Sequence, residues 1–211
     1  MNILVKKKES TNITIKQIVA LLHESFQERQ NQGLNYTCSS INDEQFVNKT
    51  KEGIIFVAVD ESTNELIGTS TLNIHNKKHK YGYMEYVAIK STYKHGGIGS
   101  LLFEHLRKEA IFLGCEYIIS DTSTKASSAV RYHLKNGFKI IGLESYRSTN
   151  YWSYVFRMQL KPSLIWNNSL YLKTRFILSF LFIYMTRNID GSDTRIGKVI
   201  KKIRKECMNC H

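Results

Sequence analysis

An α/β fold, in which helices flank a mixed β-sheet and a helical extension follows at the C-terminal end, is what the sequence predicts. Three observations carry that expectation. Along residues 1–160 the hydrophobic period switches between helix-like and strand-like values in the order βααβββαβαββ. Within that order one strand-to-helix junction, Tyr93-Lys-His-Gly-Gly-Ile-Gly-Ser-Leu-Leu102, gathers three glycines and two cations and holds no carboxylate. The single proline, Pro162, falls where the pattern stops. The domain edge is placed there, giving one domain over 1–161 and a basic, amphipathic helical extension over 162–211.

Taken in order, NILVKK reads as a short edge strand. Residues 14–30 carry Ile15, Ile18, Val19, Leu22 and Phe26 at helical spacing, with Thr11 or Asn12 available as the cap, and NDEQFVNKT gives a second short helix. The period then changes. GIIFVAVDE and LIGTSTLNI form a hairpin around ESTNE, and YGYMEYVAIK is a third, central strand. From Ile98 onward Leu101, Leu102, Leu106, Ala110 and Leu113 make one apolar stripe that ends at Gly114. CEYIISDT is the next strand, SSAVRYHLKNG the next helix, and FKIIGLES with NYWSYVFRMQL a closing hairpin.

Composition narrows the partners. Hydrophobic content of 42% and charged content of 23% are those of a folded chain and exclude a mainly disordered one. Thirty Lys and Arg against eighteen Asp and Glu give a formal +12, which favours anionic partners: phosphorylated cofactors, nucleic acid or an acidic membrane surface. Ten of the cations and three of the carboxylates follow Leu160, so the extension carries +7 of that excess. Its cations alternate with Ile and Val instead of interleaving with aromatics, and nucleic acid is not expected. The opening MNILVKKKES lacks the apolar segment of a secretory signal and four cysteines are present, so a reducing cytoplasm is the expected setting. The longest uncharged apolar run, FILSFLFIYMT, has eleven residues, short of the ~20 of a spanning helix.

A helix start exposes unpaired N–H groups and the positive end of the helix dipole, and glycines let a phosphate approach that backbone. The junction at 93–102 is therefore suited to a phosphate, or else it is a tight turn with no ligand. It is not a Walker loop, because no Lys-Ser/Thr follows the last glycine, and it lacks the dinucleotide spacing G-x-G-x-x-G.

Lys94-His95-Gly96-Gly97-Ile98-Gly99 resembles the pyrophosphate-binding signature Gln/Arg-x-x-Gly-x-Gly/Ala of the GNAT superfamily of N-acetyltransferases. It is preceded by Met84-Glu85-Tyr86-Val87-Ala88-Ile89 where that family has its central strand. Ala129-Val130-Arg131-Tyr132-His133-Leu134-Lys135-Asn136-Gly137-Phe138 is similar to its second block, a helix ending in Gly-Phe. The resemblance covers roughly residues 1–160. It implies a mostly antiparallel sheet of the GNAT type and acetyl-CoA as co-substrate, with its pyrophosphate on the amides of residues 95–100. It assigns Val87, Ala88, Ile89, Lys94, His95, Gly96, Gly97, Ile98, Gly99 and Ser100 to cofactor binding, with Ser128 beside the pantetheine arm and Lys135 near the 3′-phosphate. Lys94 stands where the family has Gln or Arg, and His133 stands four before Gly137, where it commonly has a Tyr that meets the departing sulfur.

Acyl transfer to an amine needs a base, because most primary amines are protonated near pH 7. Glu85, on the central strand just upstream of the cofactor contacts, is the candidate; its bland reading is a solvated strand residue. An oxyanion needs N–H donors, which the strand end at Val87 to Ile89 offers. His133 or Tyr132 is the candidate partner of the leaving thiolate, or else each packs its helix. The expected function is acetyl-CoA-dependent N-acetylation of a primary amine on a small molecule, with Tyr151, Trp152 and Tyr154 walling the acceptor or else packing in the core. The alternatives are a protein or peptide N-acetyltransferase and a non-catalytic coenzyme A-binding module.

Cys207-Met-Asn-Cys-His211 spells C-x-x-C-H, but with no second pair at ligand spacing neither metal nor haem is expected there. In the extension, SLYLKTRFILSFLFIYM forms a strongly apolar helix. From Thr194 onward Ile196, Val199, Ile200, Ile203 and Cys207 share one face of a basic amphipathic helix. Packing against its own domain is the expected arrangement; joining a homodimer or lying on an anionic membrane surface are the alternatives.

Overall fold

The computed structural model describes residues 2–76, 80–94, 96–146, 149–189 and 191–208. Its seven-stranded sheet comprises β1 (Ile3–Lys7), β2 (Gly53–Asp60), β3 (Leu66–Asn76), β4 (Lys80–Ile89), β5 (Tyr117–Ser123), β6 (Lys139–Ser145) and β7 (Trp152–Gln159). The spatial order is β1-β2-β3-β4-β5-β7-β6. All neighbours are antiparallel except β4 and β5. The closing hairpin β6–β7 thus turns back on itself, placing β7 inside and leaving β6 on the edge.

Helices α1 (Ile15–Asn31) and α2 (Asp43–Thr50) cover one face, while α3 (Ile98–Phe112) and α4 (Ser127–Lys135) cover the other. The cap of α1 is Thr14, neither Thr11 nor Asn12. Gln17 sits three residues on, so the Thr14 hydroxyl takes the Gln17 N–H at 3.2 Å while the Gln17 side chain takes the Thr14 N–H at 2.8 Å. Thr11 instead donates its hydroxyl to the Lys8 carbonyl. Asn42 and Gln45 make the same reciprocal box on α2. Ile18, Leu22, Phe46, Val57 and Tyr86 fill the core beneath α1 and α2; Leu102, Leu106, Met84, Ile118 and Phe156 fill the one beneath α3 and α4.

Two departures from regular pairing shape the middle of the sheet. The parallel pair β4–β5 holds only from Tyr81 opposite Tyr117 to Tyr83 opposite Ile119, beyond which the strands part. On the other side of β4, Thr69 faces Ala88 while Thr71 faces Glu85, so Tyr86 and Val87 bulge against Ser70. Tyr86 takes the left-handed backbone, φ 52°, a conformation uncommon for a residue with a Cβ. The bulge breaks the alternation of faces, and Glu85 and Tyr86 both look toward α1 and α2.

The extension is helical: α5 (Leu164–Asn167), α6 (Ser169–Thr186) and α7 (Arg195–Met208). Trp166 anchors its start, stacking on the Arg157 guanidinium at 3.7 Å while Tyr117 lies 3.4 Å from the same group. Burial between these rings lowers the Arg157 pKa to about 10. Helix α6 covers the edge strand. A Cβ on Gly142 would come within 3.1 Å of the Ser179 hydroxyl, so the glycine permits the approach that lets the Leu143 N–H donate to Ser179 Oγ at 3.1 Å. Trp152 packs edge-on to Phe180 and Tyr184, and Tyr154 meets Phe176, so these two hairpin aromatics serve the extension interface. The backbone of Gly197 in α7 backs onto the Thr186 carbonyl, where a Cβ would fall at 2.2 Å. Among the described residues no helix is long and apolar enough to cross a membrane.

Candidate functional site

The glycine junction folds into a turn that ends in α3. Gly97 is the N-cap residue at φ 80° with no side-chain cap, which leaves the amides of Ile98, Gly99 and Ser100 without a side-chain acceptor. Ile98 roots this turn in the core at 3% exposure. Among the described residues, and beyond its own chain neighbours, nothing lies within 4 Å of a Cβ built on Gly97, and Gly96 would meet the Tyr93 carbonyl at 3.4 Å. The backbone is therefore open to an incoming phosphate, and the residues present fit a pyrophosphate. The preceding turn is tied down by Glu65, which pairs with Lys90 and accepts the Tyr93 hydroxyl at 3.3 Å.

The junction holds no carboxylate in sequence, yet besides Glu65 the fold brings two more to it and to the turn just before it. Glu24 of α1 accepts from the Ser91 hydroxyl at 3.1 Å, and Glu28 lies 3.4 Å from the Lys94 ammonium. Both partners of the second pair are exposed, so the attraction is weak and Lys94 is free to turn toward a stronger anion. His95, Cys210 and His211 lie outside the described residues, as does the side chain of Cys207.

Where β4 and β5 part, the Ser120 hydroxyl reaches across to the Met84 carbonyl at 3.1 Å. Val87 faces the α3 side, Ala88 is buried on the α1 side, and the Ile89 carbonyl accepts from Ser25 Oγ at 3.0 Å. The parting leaves the β5-side edge of β4 beyond Tyr83 without a strand partner among the described residues.

His133 sits beneath this parting, 5% exposed, with its ring stacked on Phe156 at 4.4 Å between centroids. Its Nδ1 lies 2.7 Å from the Ala129 carbonyl and its Nε2 lies 2.9 Å from Ser120 Oγ. Burial lowers its pKa to about 4, so the imidazole is neutral. Tyr132 donates its hydroxyl to the Gly99 carbonyl at 2.9 Å, and its ring would lie 3.0 Å from a Cβ on Gly99. It thereby fastens α4 to the first turn of α3. Ser128 accepts from Arg29 of α1 at 3.2 Å, and Lys135 is exposed near the end of α4.

On the opposite face of the sheet Glu85 opens into a cleft of about 500 Å³ between α2 and the β3–β4 hairpin, with Lys49, Asn73, His75, Tyr81 and Tyr83 around it. Asn73 donates to the Glu85 carboxylate at 2.5 Å. Burial holds the Glu85 pKa above the usual carboxylate range; Asp121 pushes the same way, while Asn73 and Lys49 oppose. Tyr83 donates to Asp121 at 2.5 Å, and burial raises the Asp121 pKa as well. Cys38 belongs to the same cluster; burial first, then Glu85 and Asp121, push its thiol up to about 12, which keeps it protonated. Asn73, Asp121 and Cys38 come from three separate segments, and only the fold assembles them around Glu85. Tyr151 is also on this side, 4.8 Å from Tyr36 and 4% exposed.

A family model described as Acetyltransferase (GNAT) family matches residues 15–138. Among solved structures, the chain superposes on the NatC complex bound to Gag peptide and CoA with a TM-score of 0.59 at 19% identity, covering 76% of this chain and 100% of that one. An aminoglycoside 6′-N-acetyltransferase complexed with coenzyme A gives 0.58 at 16% identity, covering 76% and 98%. The PaiA N-acetyltransferase from Thermoplasma acidophilum in complex with coenzyme A gives 0.60 at 18% identity, covering 75% and 99%. No curated protein matches the sequence significantly. At these identities the structural likeness is one of fold.

Proposed function

Because the chain belongs to the GNAT acetyltransferase family and is on that ground an acyltransferase that uses acetyl-CoA, we propose that it acetylates a primary amine of a small molecule. The observation that carries the acceptor reading is the Glu85 cleft. It is of small-molecule size, it lies on the face of β4 opposite α3, and it holds a carboxylate whose pKa is raised toward the range of a general base. The two faces give donor and acceptor separate approaches to one strand.

Acetyl-CoA supplies an acyl group activated as a thioester. The amides of Ile98, Gly99 and Ser100, with Lys94, bind and orient its pyrophosphate. Glu85, held by Asn73, takes the proton from the bound ammonium. The backbone at Val87 to Ile89, beside the bulge, offers N–H donors to the developing oxyanion. A leaving thiolate with a pKa of about 8.5 needs no strong acid. Tyr132 and His133 act in this reading as positioning residues, which hold α4 against α3 and β5.

That last assignment has its own test. His133→Phe removes a partner from both Ser120 and the Ala129 carbonyl, and is expected to cost about 1–3 kcal/mol of stability, read as a shift of the urea midpoint. The turnover of the folded variant is expected within about twofold of the parent. A loss above tenfold, measured well below the midpoint, returns His133 to the leaving-group role.

The structural neighbours include an enzyme bound to a peptide and one acting on an aminoglycoside, so a protein or peptide acceptor is the second reading. The experiment that separates the two is a panel of polyamines, amino sugars, amino acids, aminoglycosides and peptides, screened for thiol release from acetyl-CoA. Turnover with small amines alone supports the cleft as acceptor site; turnover with peptides alone replaces it. Binding of acetyl-CoA with no turnover on any acceptor favours the non-catalytic module.

A further inference from the structure

Apart from Lys173 and Arg175 in its first half, helix α6 carries no charge, and its own domain covers only one side of it. The sheltered stripe is Leu172, Phe176, Ser179, Ile183 and Thr186, spaced by three or four residues. Opposite it, at the same spacing, run Leu170, Thr174, Ile177, Leu178, Leu181 and Met185. Of these, Leu170 is 72% exposed, Leu178 61% and Ile177 56%. A helix that turns one side to water ordinarily carries charged and polar residues there. A continuous apolar face of this kind marks an interaction surface.

Charge identifies what covers it. No Asp or Glu occurs from Lys161 to Ile189, whereas Lys161, Lys173, Arg175 and Arg187 do. Helix α7 then exposes Arg195, Lys198 and Lys201, with Ile196 and Val199 also exposed, at 53% and 56%. The sequence of that helix continues with Lys202, Arg204 and Lys205. In the cleft between β6, α6 and α7, Arg187 and Lys201 are both paired with Asp193, at 2.8 and 2.5 Å, and Glu144 lies nearby, so the cations that carry the charge of this surface are the exposed Arg195 and Lys198. A second copy would bring two such basic segments together, against their mutual repulsion. A layer of anionic lipid offers both an apolar interior and the opposite charge. Because α6 is held along β6 through Ser179 and Gly142, it lies flat against the domain, the orientation of an interfacial helix.

We propose that the outward face of α6, with the cations of α7 beside it, docks the protein on an anionic phospholipid surface. The apolar side chains enter the boundary between headgroups and acyl chains, and Arg195 and Lys198 meet the phosphates. The inference rests on α6 and α7 alone and stands whatever the acceptor proves to be.

Sedimentation of the full chain with vesicles tests it. Vesicles of phosphatidylcholine mixed with phosphatidylglycerol are expected to carry the protein down, and pure phosphatidylcholine vesicles at least tenfold more weakly, with the difference shrinking as salt is raised. Leu178→Asp with Leu181→Asp changes only outward positions. It is expected to lower vesicle binding at least tenfold and leave the unfolding midpoint and acetyl-CoA affinity unchanged. Arg195→Glu with Lys198→Glu should lower binding to the mixed vesicles and remove its salt dependence. Vesicle binding equal to the parent in the double-Asp variant overturns the proposal, as does no binding to either vesicle. A lipid-free dimer that the double-Asp variant abolishes also overturns it, by assigning the α6 face to a second copy.

Discussion

Gly97→Glu is expected to weaken acetyl-CoA binding more than a hundredfold, to below detection in calorimetry, with the fold retained. In the proposed site the pyrophosphate rests on amides at the first turn of α3, and Gly97, the N-cap residue, stands in the path of an anion approaching them. A carboxylate there occupies the positive end of the helix itself and repels the pyrophosphate. Losing two charge-assisted hydrogen bonds to backbone amides, at about 1.5–3 kcal/mol each, accounts for a change of that size. Backbone strain is a second effect, because the φ of 80° disfavours any side chain. Gly97→Asn separates the two: Asn tolerates the left-handed region and adds no charge. It is expected to bind acetyl-CoA measurably, several-fold more weakly than the parent. Equal affinity of Gly97→Glu and the parent would remove the pyrophosphate from this junction.

The order of elements was legible because each segment wears its period openly: Ile18 and Leu22 fall one turn apart, and the strands alternate or run apolar between turn residues. The cap of α1 falls two or three residues beyond the expected Asn12 or Thr11, because Thr11, Asn12 and Thr14 are equally good acceptors in isolation. Only the Gln17 side chain, three residues after Thr14, decides among them. Placement of β7 between β5 and β6 was not legible, since a hairpin has the same local sequence whichever of its strands joins the sheet. The glycine turn showed itself through local backbone needs. By contrast, Glu24 and Glu28 reach it from a helix some 65 residues away, and such contacts depend on how α1 crosses the sheet. His133 had a polar side chain in a functional block, but burial decides its chemistry, and burial follows from Phe156 and Ser120 on other strands. Helix α6 was expected to be covered by its own domain. The structure covers one stripe of it, because the edge strand it protects is a single line of backbone and offers no second surface.

Glu85→Gln is expected to lower turnover by about a hundredfold or more while leaving acetyl-CoA affinity unchanged, since the carboxylate lies across the strand from α3. Gln is close to Glu in shape and still presents an oxygen to Asn73, so the change removes the basicity and little else. The pH dependence follows from the direction of the shift. Burial raises the Glu85 pKa, so in the parent kcat/KM climbs as pH rises through that value and the base ionises. Below it the parent loses its base and approaches the variant. Near the pKa of the amine the acceptor deprotonates without help, and the variant recovers. The gap between the two enzymes is therefore widest in the window between those values. Stability moves the other way. A carboxyl whose pKa is higher in the folded than in the unfolded chain contributes its full stability below the unfolded value, about 4.3, and loses it as pH rises through the folded one. The variant, which cannot ionise, escapes that loss, and its unfolding midpoint relative to the parent should rise with pH across the same interval. Steady-state kinetics and denaturant unfolding at matched pH read both effects. A variant that keeps turnover within twofold of the parent across that window would hand the proton to a water chain, whatever its midpoint does.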